Sequence, residues 1–201
     1  MKLMYAKLSP FSRKVVVAIA EKGLTPKVEL LPTEVGHGKI NAELMRLNPI
    51  GKIPTLVTDE GESLFDSSAI IDYLDELQPQ PRLIPPPGAA RRRALRLNAV
   101  ADGLLIAGVL YKVEMSRPPE RQWPEWMKQQ WAKVGKCLEF LDAELGAHGS
   151  ELTMGEIAAG CALGWLDVRA AEEPWREKHP GLAQWFAGFG ERPSMAGSRP
   201  A

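Results

Sequence analysis

The sequence has little of what marks a secreted, membrane-spanning or nucleic-acid-binding chain. It carries two cysteines, Cys137 and Cys161, in 201 residues, too few for a disulfide frame. Both stand among apolar, helix-forming neighbours, so they are expected to be core thiols in a reducing compartment, which points to the cytoplasm. Neither sign of charge is in surplus: 25 Lys and Arg balance 25 Asp and Glu. That balance argues against nucleic acid or a membrane surface as the main partner. The basic cluster Arg91 to Arg93 is short and follows a proline run, and a solvated helix start accounts for it. No apolar stretch is read as reaching the roughly 20 residues of a spanning helix. The opening Met-Lys-Leu-Met-Tyr-Ala-Lys lacks a signal-peptide core. His37, His148 and His179 are not spaced as ligands, and no metal site is expected.

What is present changes character near residue 80. Before it, strand and helix patterns alternate. Strands are expected at Lys2 to Ala6, Val28 to Leu31, Thr55 to Val57 and Ser63 to Phe65. Helices are expected at Pro10 to Lys22, Asn41 to Leu47 and Ser67 to Leu77, with Gly23 stopping the first. The order is βαβαββα, and turn residues Asp59 to Glu62 join the last two strands into a hairpin. Gln78 to Gly88 then holds five prolines, a stiff linker that neither a helix nor a sheet interior accepts. Beyond it the periodicity predicts only helices: an amphipathic Ala89 to Ser116, Trp123 to Leu145, Met154 to Ala171 and Pro180 to Gly190. Met154 to Ala171 is apolar nearly all round and should be central. It opens with a capping box, Thr153 with Glu156, and a hydrophobic staple, Leu152 with Ile157. The fold class is therefore α+β followed by all-α. The domains are residues 1–77, a linker at 78–88 and a helical unit at 89–201.

Three short segments carry chemistry. Ser9-Pro10 opens a helix as cap and first residue. The same hydroxyl stands at the positive end of a helix dipole, where it can donate to a thiolate and lower a thiol pKa from its usual value near 8.5. Ile53-Pro54 leads into a strand, and a cis bond there would leave the amide and carbonyl of Ile53 free to meet an extended peptide; sequence alone favours trans. Asp66 or Ser67 caps the next helix. Free amides and a hydroxyl at a helix start also bind carboxylates, and Asp66 beside them would take an ammonium. Together these recognise an amino-acid head.

"SPFSRKV", "NPIGKIPTL" and "FDSSAIIDYL", followed by a proline linker and an all-helical half, resemble a cytosolic glutathione S-transferase over essentially the whole chain. The resemblance, to a bacterial serine-type member, implies a thioredoxin-like first domain with a cis Ile53–Pro54 bond. It implies that Ile53 pairs with the cysteinyl part of glutathione, that Asp66 and Ser67 hold the γ-glutamyl end, and that Ser9 points at the sulfur. It implies further that Lys52 meets the glycyl carboxylate, with His37 or Lys39 as a helper. Phe11 and Ser12 are auxiliary candidates, and Ser12 is the rival hydroxyl for the thiolate. The glutathione brings its own nucleophile, so the enzyme supplies a thiolate stabiliser, an anchor and an apolar bay between the domains. Wall candidates are Phe11, Leu105, Val109, Tyr111 and Met115, with Arg117; apolar residues at this spacing are also ordinary core. A homodimer is expected, in which Asp102 reaches glutathione on the partner subunit or else lies on a solvated helix face. No cysteine stands at Ser9, which argues against glutaredoxin-like reduction, and Tyr5 is too far upstream of Arg13 for a tyrosine-type site. The expected function is transfer of glutathione to a small hydrophobic electrophile, with glutathione as co-substrate and no metal. A glutathione-dependent isomerase or dehalogenase, and a non-catalytic protein-binding module, are the alternatives.

Overall fold

A computed structural model describes residues 1–36, 40–146 and 152–200. His37, Lys39 and His148 therefore lie outside the described residues. Strands β1 (Lys2–Tyr5), β2 (Glu29–Pro32), β3 (Thr55–Val57) and β4 (Ser63–Phe65) form one sheet in the order β2-β1-β3-β4. β1 and β2 run parallel, and β3 runs antiparallel to β1 and β4. Helices α1 (Pro10–Glu21), α2 (Ala42–Leu47) and α3 (Ser67–Leu77) complete the βαβαββα order. β2 begins one residue later than the sequence suggests, because Thr25–Lys27 forms a 3-10 turn that ends at Val28.

α1 closes as its glycine requires. Gly23 sits at φ +66°, where its amide donates to Ala20 at 3.0 Å and the next amide, of Leu24, donates to Ile19 at 2.9 Å. This paired closure satisfies the last carbonyls, and the left-handed position suits glycine. Val15, Ala18 and Ile19 join one buried cluster with Leu3 and Leu56 of the sheet and Ile70 of α3.

The second half is helical: α4 (Ala89–Met115), α5 (Pro124–Leu145), α6 (Met154–Arg169), α7 (Trp175–Lys178), α8 (Pro180–Gly190) and α9 (Pro193–Ala196). The short α7 and α9 escaped the sequence reading because one turn shows no periodicity. α6 is the central element, buried from Met154 to Leu166. Its capping box forms as expected: Thr153 accepts from the amide of Gly155 at 3.1 Å, and Glu156 accepts from the amide of Thr153 at 3.2 Å.

Two sequence readings of α4 need correction. It is long and apolar enough, at a mean hydropathy of 1.4 over 18 residues, to cross a membrane by length and composition. It also shows no clean amphipathic split. Leu97, Ala101, Leu104 and Leu105 are buried against α5 and α6, while Leu95, Ile106 and Leu110 are exposed on other sides. Apolar residues all round the helix defeat both readings, and the packing shows a core helix of the helical domain.

The proline segment is pinned rather than free. The wholly buried ammonium of Lys22 pairs with Asp75 and donates to the carbonyl of Pro81 at 2.6 Å. Asp75 in turn accepts from the amides of Leu83 at 2.6 Å and Ile84 at 3.2 Å. The halves are tied again where Glu21 of α1 takes the guanidinium of Arg192 at 2.9 Å.

Candidate functional site

Strand register assembles the site. Met4 of β1 faces Thr55 of β3, and Thr55 faces Phe65 of β4. The end of β1, the start of β3 and the end of β4 therefore emerge on one edge of the sheet. The segments beyond them hold Ser9, Ile53-Pro54 and Asp66-Ser67. Adjacent strands lie about 4.8 Å apart, so these three groups stand in a row, with Ile53 in the middle.

Ser9 caps α1: its hydroxyl oxygen accepts from the amide of Ser12 at 3.2 Å. The cap uses a lone pair, and among the described residues the Ser9 hydroxyl hydrogen has no acceptor. Ser12 is different. It is fully buried, and its hydroxyl oxygen accepts from the amide of Ala6 at 3.4 Å. The expectation that Ser12 rivals Ser9 is corrected on this ground: a wholly buried hydroxyl cannot meet a bound thiol.

The Ile53–Pro54 peptide bond is cis. Ile53 is buried, yet among the described residues its amide and carbonyl make no hydrogen bond. Backbone groups are nearly always paired with protein or water, so this pair is open to an outside partner. Asn48, which the sequence reading passed over, shapes the loop. Its amide nitrogen donates to the carbonyl of Lys52 at 2.9 Å and to Thr55 Oγ1 at 3.1 Å, and its oxygen accepts from the amide of Ile50 at 3.0 Å. Lys52 itself is exposed beside Ile53.

Asp66 is the cap of α3, and Ser67 is its first residue. One carboxylate oxygen accepts from the amide of Ser68 at 2.7 Å. Asp66 holds φ +52°, the one described non-glycine residue at positive φ. Such strain persists where surrounding contacts fix it and clusters at functional sites. The exposed carboxylate thus stands at a helix start whose amides point outward.

Behind these groups runs a polar chain that sequence spacing did not reveal. Lys14 of α1, fully buried, donates to both oxygens of Asp102 on α4, at 2.8 and 2.9 Å. Asn98 donates to Asp102 at 3.0 Å and to Ser68 Oγ at 3.1 Å. The solvated-face alternative for Asp102 is overturned, since its side chain is only 19% exposed. Burial pushes its pKa up and Lys14 opposes the shift. The chain reaches from α1 through α4 to the start of α3.

The expected apolar bay is partly wrong. Leu105 is fully buried in the helical core and cannot line a bay. Tyr111 packs on Trp131, with ring centroids 4.6 Å apart, and Val109 is partly buried against the same core. Phe11 is half-buried beside that core, while Met115 and Arg117 are exposed near the end of α4. A crevice does open beside Ser9, but its far wall comes from α6: Trp165, Val168 and Arg169 face Lys7, Ser9 and Arg13. On the α1 side Gly164 of α6 lies against the Arg13 guanidinium, and on the other side Gly108 of α4 lies under the Trp165 ring, where a Cβ would stand 2.6 Å from the nearest ring carbon. Cys161 lines the same crevice, and burial pushes its thiol up to about 11. It is therefore a protonated, inert thiol at neutral pH.

A βαβαββα sheet domain with three ligand-ready groups on one edge, followed by a helical domain, defines the class of two-domain proteins built on a thioredoxin-like fold. Comparison narrows this to one family. The glutathione S-transferase N-terminal domain model matches residues 8–77, and the C-terminal domain model matches residues 124–188. The chain is 31% identical over 204 residues to an uncharacterized GST-like protein, YibF, of Escherichia coli (strain K12), covering 100% of this chain and 98% of that protein. It is 51% identical over 182 residues to a probable maleylacetoacetate isomerase of Vibrio cholerae serotype O1, covering 82% and 79% of the two chains. It superposes with a TM-score of 0.93 on a glutathione transferase family member from Pseudomonas fluorescens Pf-5 crystallised with bound glutathione, at 40% identity over 100% of this chain and 98% of that one. The chain belongs to the glutathione S-transferase family.

Proposed function

We propose that this protein binds glutathione along the sheet edge and activates its thiol for attack on a small electrophile. The observation that carries this reading is the row formed by the strand register: the free hydroxyl hydrogen of Ser9, the unpaired peptide groups of Ile53, and Asp66 with Ser67 at the start of α3. A γ-glutamyl-cysteinyl unit has the same order, with sulfur, backbone amide and amino-acid head in turn. Ser9 would donate to the thiolate, Ile53 would pair with the cysteinyl backbone before Pro54, the exposed Asp66 would hold the ammonium, and Ser67, which is 3% exposed, would meet the carboxylate chiefly through its amide at the start of α3. Lys52 would meet the glycyl end, and Lys39, outside the described residues, is carried as its helper by the family resemblance alone. Asp102 serves as a positioning residue, steadying Ser68 through Asn98.

The reaction needs no metal and no protein nucleophile. In a displacement, sulfur forms the new bond to carbon while the leaving group departs with its bonding pair. A second reading, glutathione-dependent isomerisation, is supported by the Vibrio cholerae relative; the thiolate would then add and be released again. We assign residues 1–77 to glutathione, 78–88 to the linker and 89–201 to the helical unit, and we place the protein in the cytoplasm. The exposed Leu95, Ile106 and Leu110 of α4 suit a homodimer.

Isothermal titration with glutathione tests the reading. One saturable site that is weakened by Asp66→Ala is expected, and a flat titration would overturn it. Light scattering that finds only a 22.1 kDa species would remove the dimer.

A further inference from the structure

The crevice beside Ser9 has an electrostatic character that an apolar bay would not have. Among the described residues its lining carries three cations, Lys7, Arg13 and Arg169, and no acidic residue. Arg13 is committed: its guanidinium donates to the carbonyl of Met195 at 2.9 Å and to Ser198 Oγ at 3.2 Å. Lys7 and Arg169 are exposed, and neither enters an ion pair among the described residues. Asp167, the acid nearest to Arg169 in sequence, is held by Arg176 and by the Trp175 indole at 3.1 Å. Two cations without an ion-pair partner among the described residues thus share a crevice with the Ser9 hydroxyl.

We propose that the second substrate is anionic, a planar electrophile bearing a carboxylate that Arg169 and Lys7 hold in this crevice. The proposal rests on the preceding reading, that a glutathione thiolate sits at Ser9. Arginine's planar fork matches a carboxylate better than a point charge does. Arg169 also lies in the last turn of α6, where any cation complements the helix dipole. What singles it out is that it shares a crevice with Ser9. Trp165, fixed against Gly108, and Val168 supply the apolar wall for the ring. The enclosed space is about 10 Å³, room for one water, and the rest opens to solvent. A ligand must therefore lie flat across the mouth, with its charged end toward the cations.

The test is calorimetric and needs no turnover. Three ligands are titrated into the full chain: glutathione, S-(4-carboxy-2-nitrophenyl)glutathione and S-(4-carbamoyl-2-nitrophenyl)glutathione. The acid and the amide share size and shape and differ in charge. The wild type is expected to bind the acid about tenfold more tightly than the amide, the low end for a charge-assisted contact in an open crevice. Arg169→Met should remove most of that preference and Lys7→Met part of it, with glutathione alone as the reference in each variant. Equal affinity for acid and amide in the wild type, or a preference that survives the double variant, overturns the proposal. If glutathione itself fails to bind, the parent reading falls and takes this one with it. If glutathione binds without an acid preference, this one falls alone.

Discussion

Replacing Ser9 by alanine removes two separable interactions, and the structure shows why. The Ser9 oxygen accepts from the Ser12 amide at 3.2 Å, and its hydrogen is free for a ligand. Loss of a serine cap costs about 0.5–2 kcal/mol of stability. Loss of a donor to a thiolate costs about 1.5–3 kcal/mol, and since one pKa unit is about 1.36 kcal/mol, the bound thiol should titrate about one to two units higher. Ser9→Gly separates the terms. Glycine is a cap only a few tenths of a kcal/mol weaker than serine, so stability should nearly hold while the thiol pKa rises as in Ser9→Ala. Ser12→Ala should do the reverse. It deletes the buried acceptor of the Ala6 amide, at a cost of about 1–3 kcal/mol, and leaves the thiol alone. The assay is thiolate absorbance in the ultraviolet, followed against pH in the glutathione complex of each variant, beside urea unfolding. A thiol pKa unmoved in both Ser9 variants refutes the reasoning. The amides and dipole of α1 would then hold the thiolate without the hydroxyl.

Asp102→Ala leaves the buried ammonium of Lys14 without its carboxylate and should cost about 3–5 kcal/mol in urea unfolding. Lys14→Met combined with Asp102→Leu should recover much of that, and a single variant as stable as wild type would show that the pair is not structural. Leu105→Ala should cost about 2–5 kcal/mol and leave the KM for an electrophile unchanged; a raised KM with intact stability would return Leu105 to the substrate bay. Glu21 is pulled below its usual 4.5 by hydrogen bonds from Arg192. Because its folded pKa is depressed, its stabilisation is present above pH 4.5 and is lost as pH falls through the lower folded value. Thermal unfolding should therefore show wild type ahead of Glu21→Gln well above pH 4.5, with the gap closing below it. A gap that is constant with pH would refute the assignment.

Much of this protein was decided locally and was legible in the chain. Gly23, Pro10 behind Ser9, the Thr153–Glu156 capping box and the proline segment act within one turn of themselves, so their sequence positions fix helix ends and the change of architecture near residue 80. The family's three motifs are local as well, and they marked Ser9, Ile53 and Asp66. Other features depended on which elements meet. Ser9 and Ser12 look alike in sequence, and only packing buries one and leaves the other's hydrogen free. Leu105 and Leu110 share an apolar helix, and only the placement of α5 and α6 makes one core and leaves the other exposed. Lys14, Asn98, Asp102 and Ser68 sit on three helices, and no spacing along the chain announces their network. The crevice wall at Trp165 and Arg169 faces Ser9 only because α6 packs on α1, with Gly164 against Arg13. Local rules set where elements begin and end; which side chains face one another follows from long-range close packing, which one-dimensional periodicity does not encode.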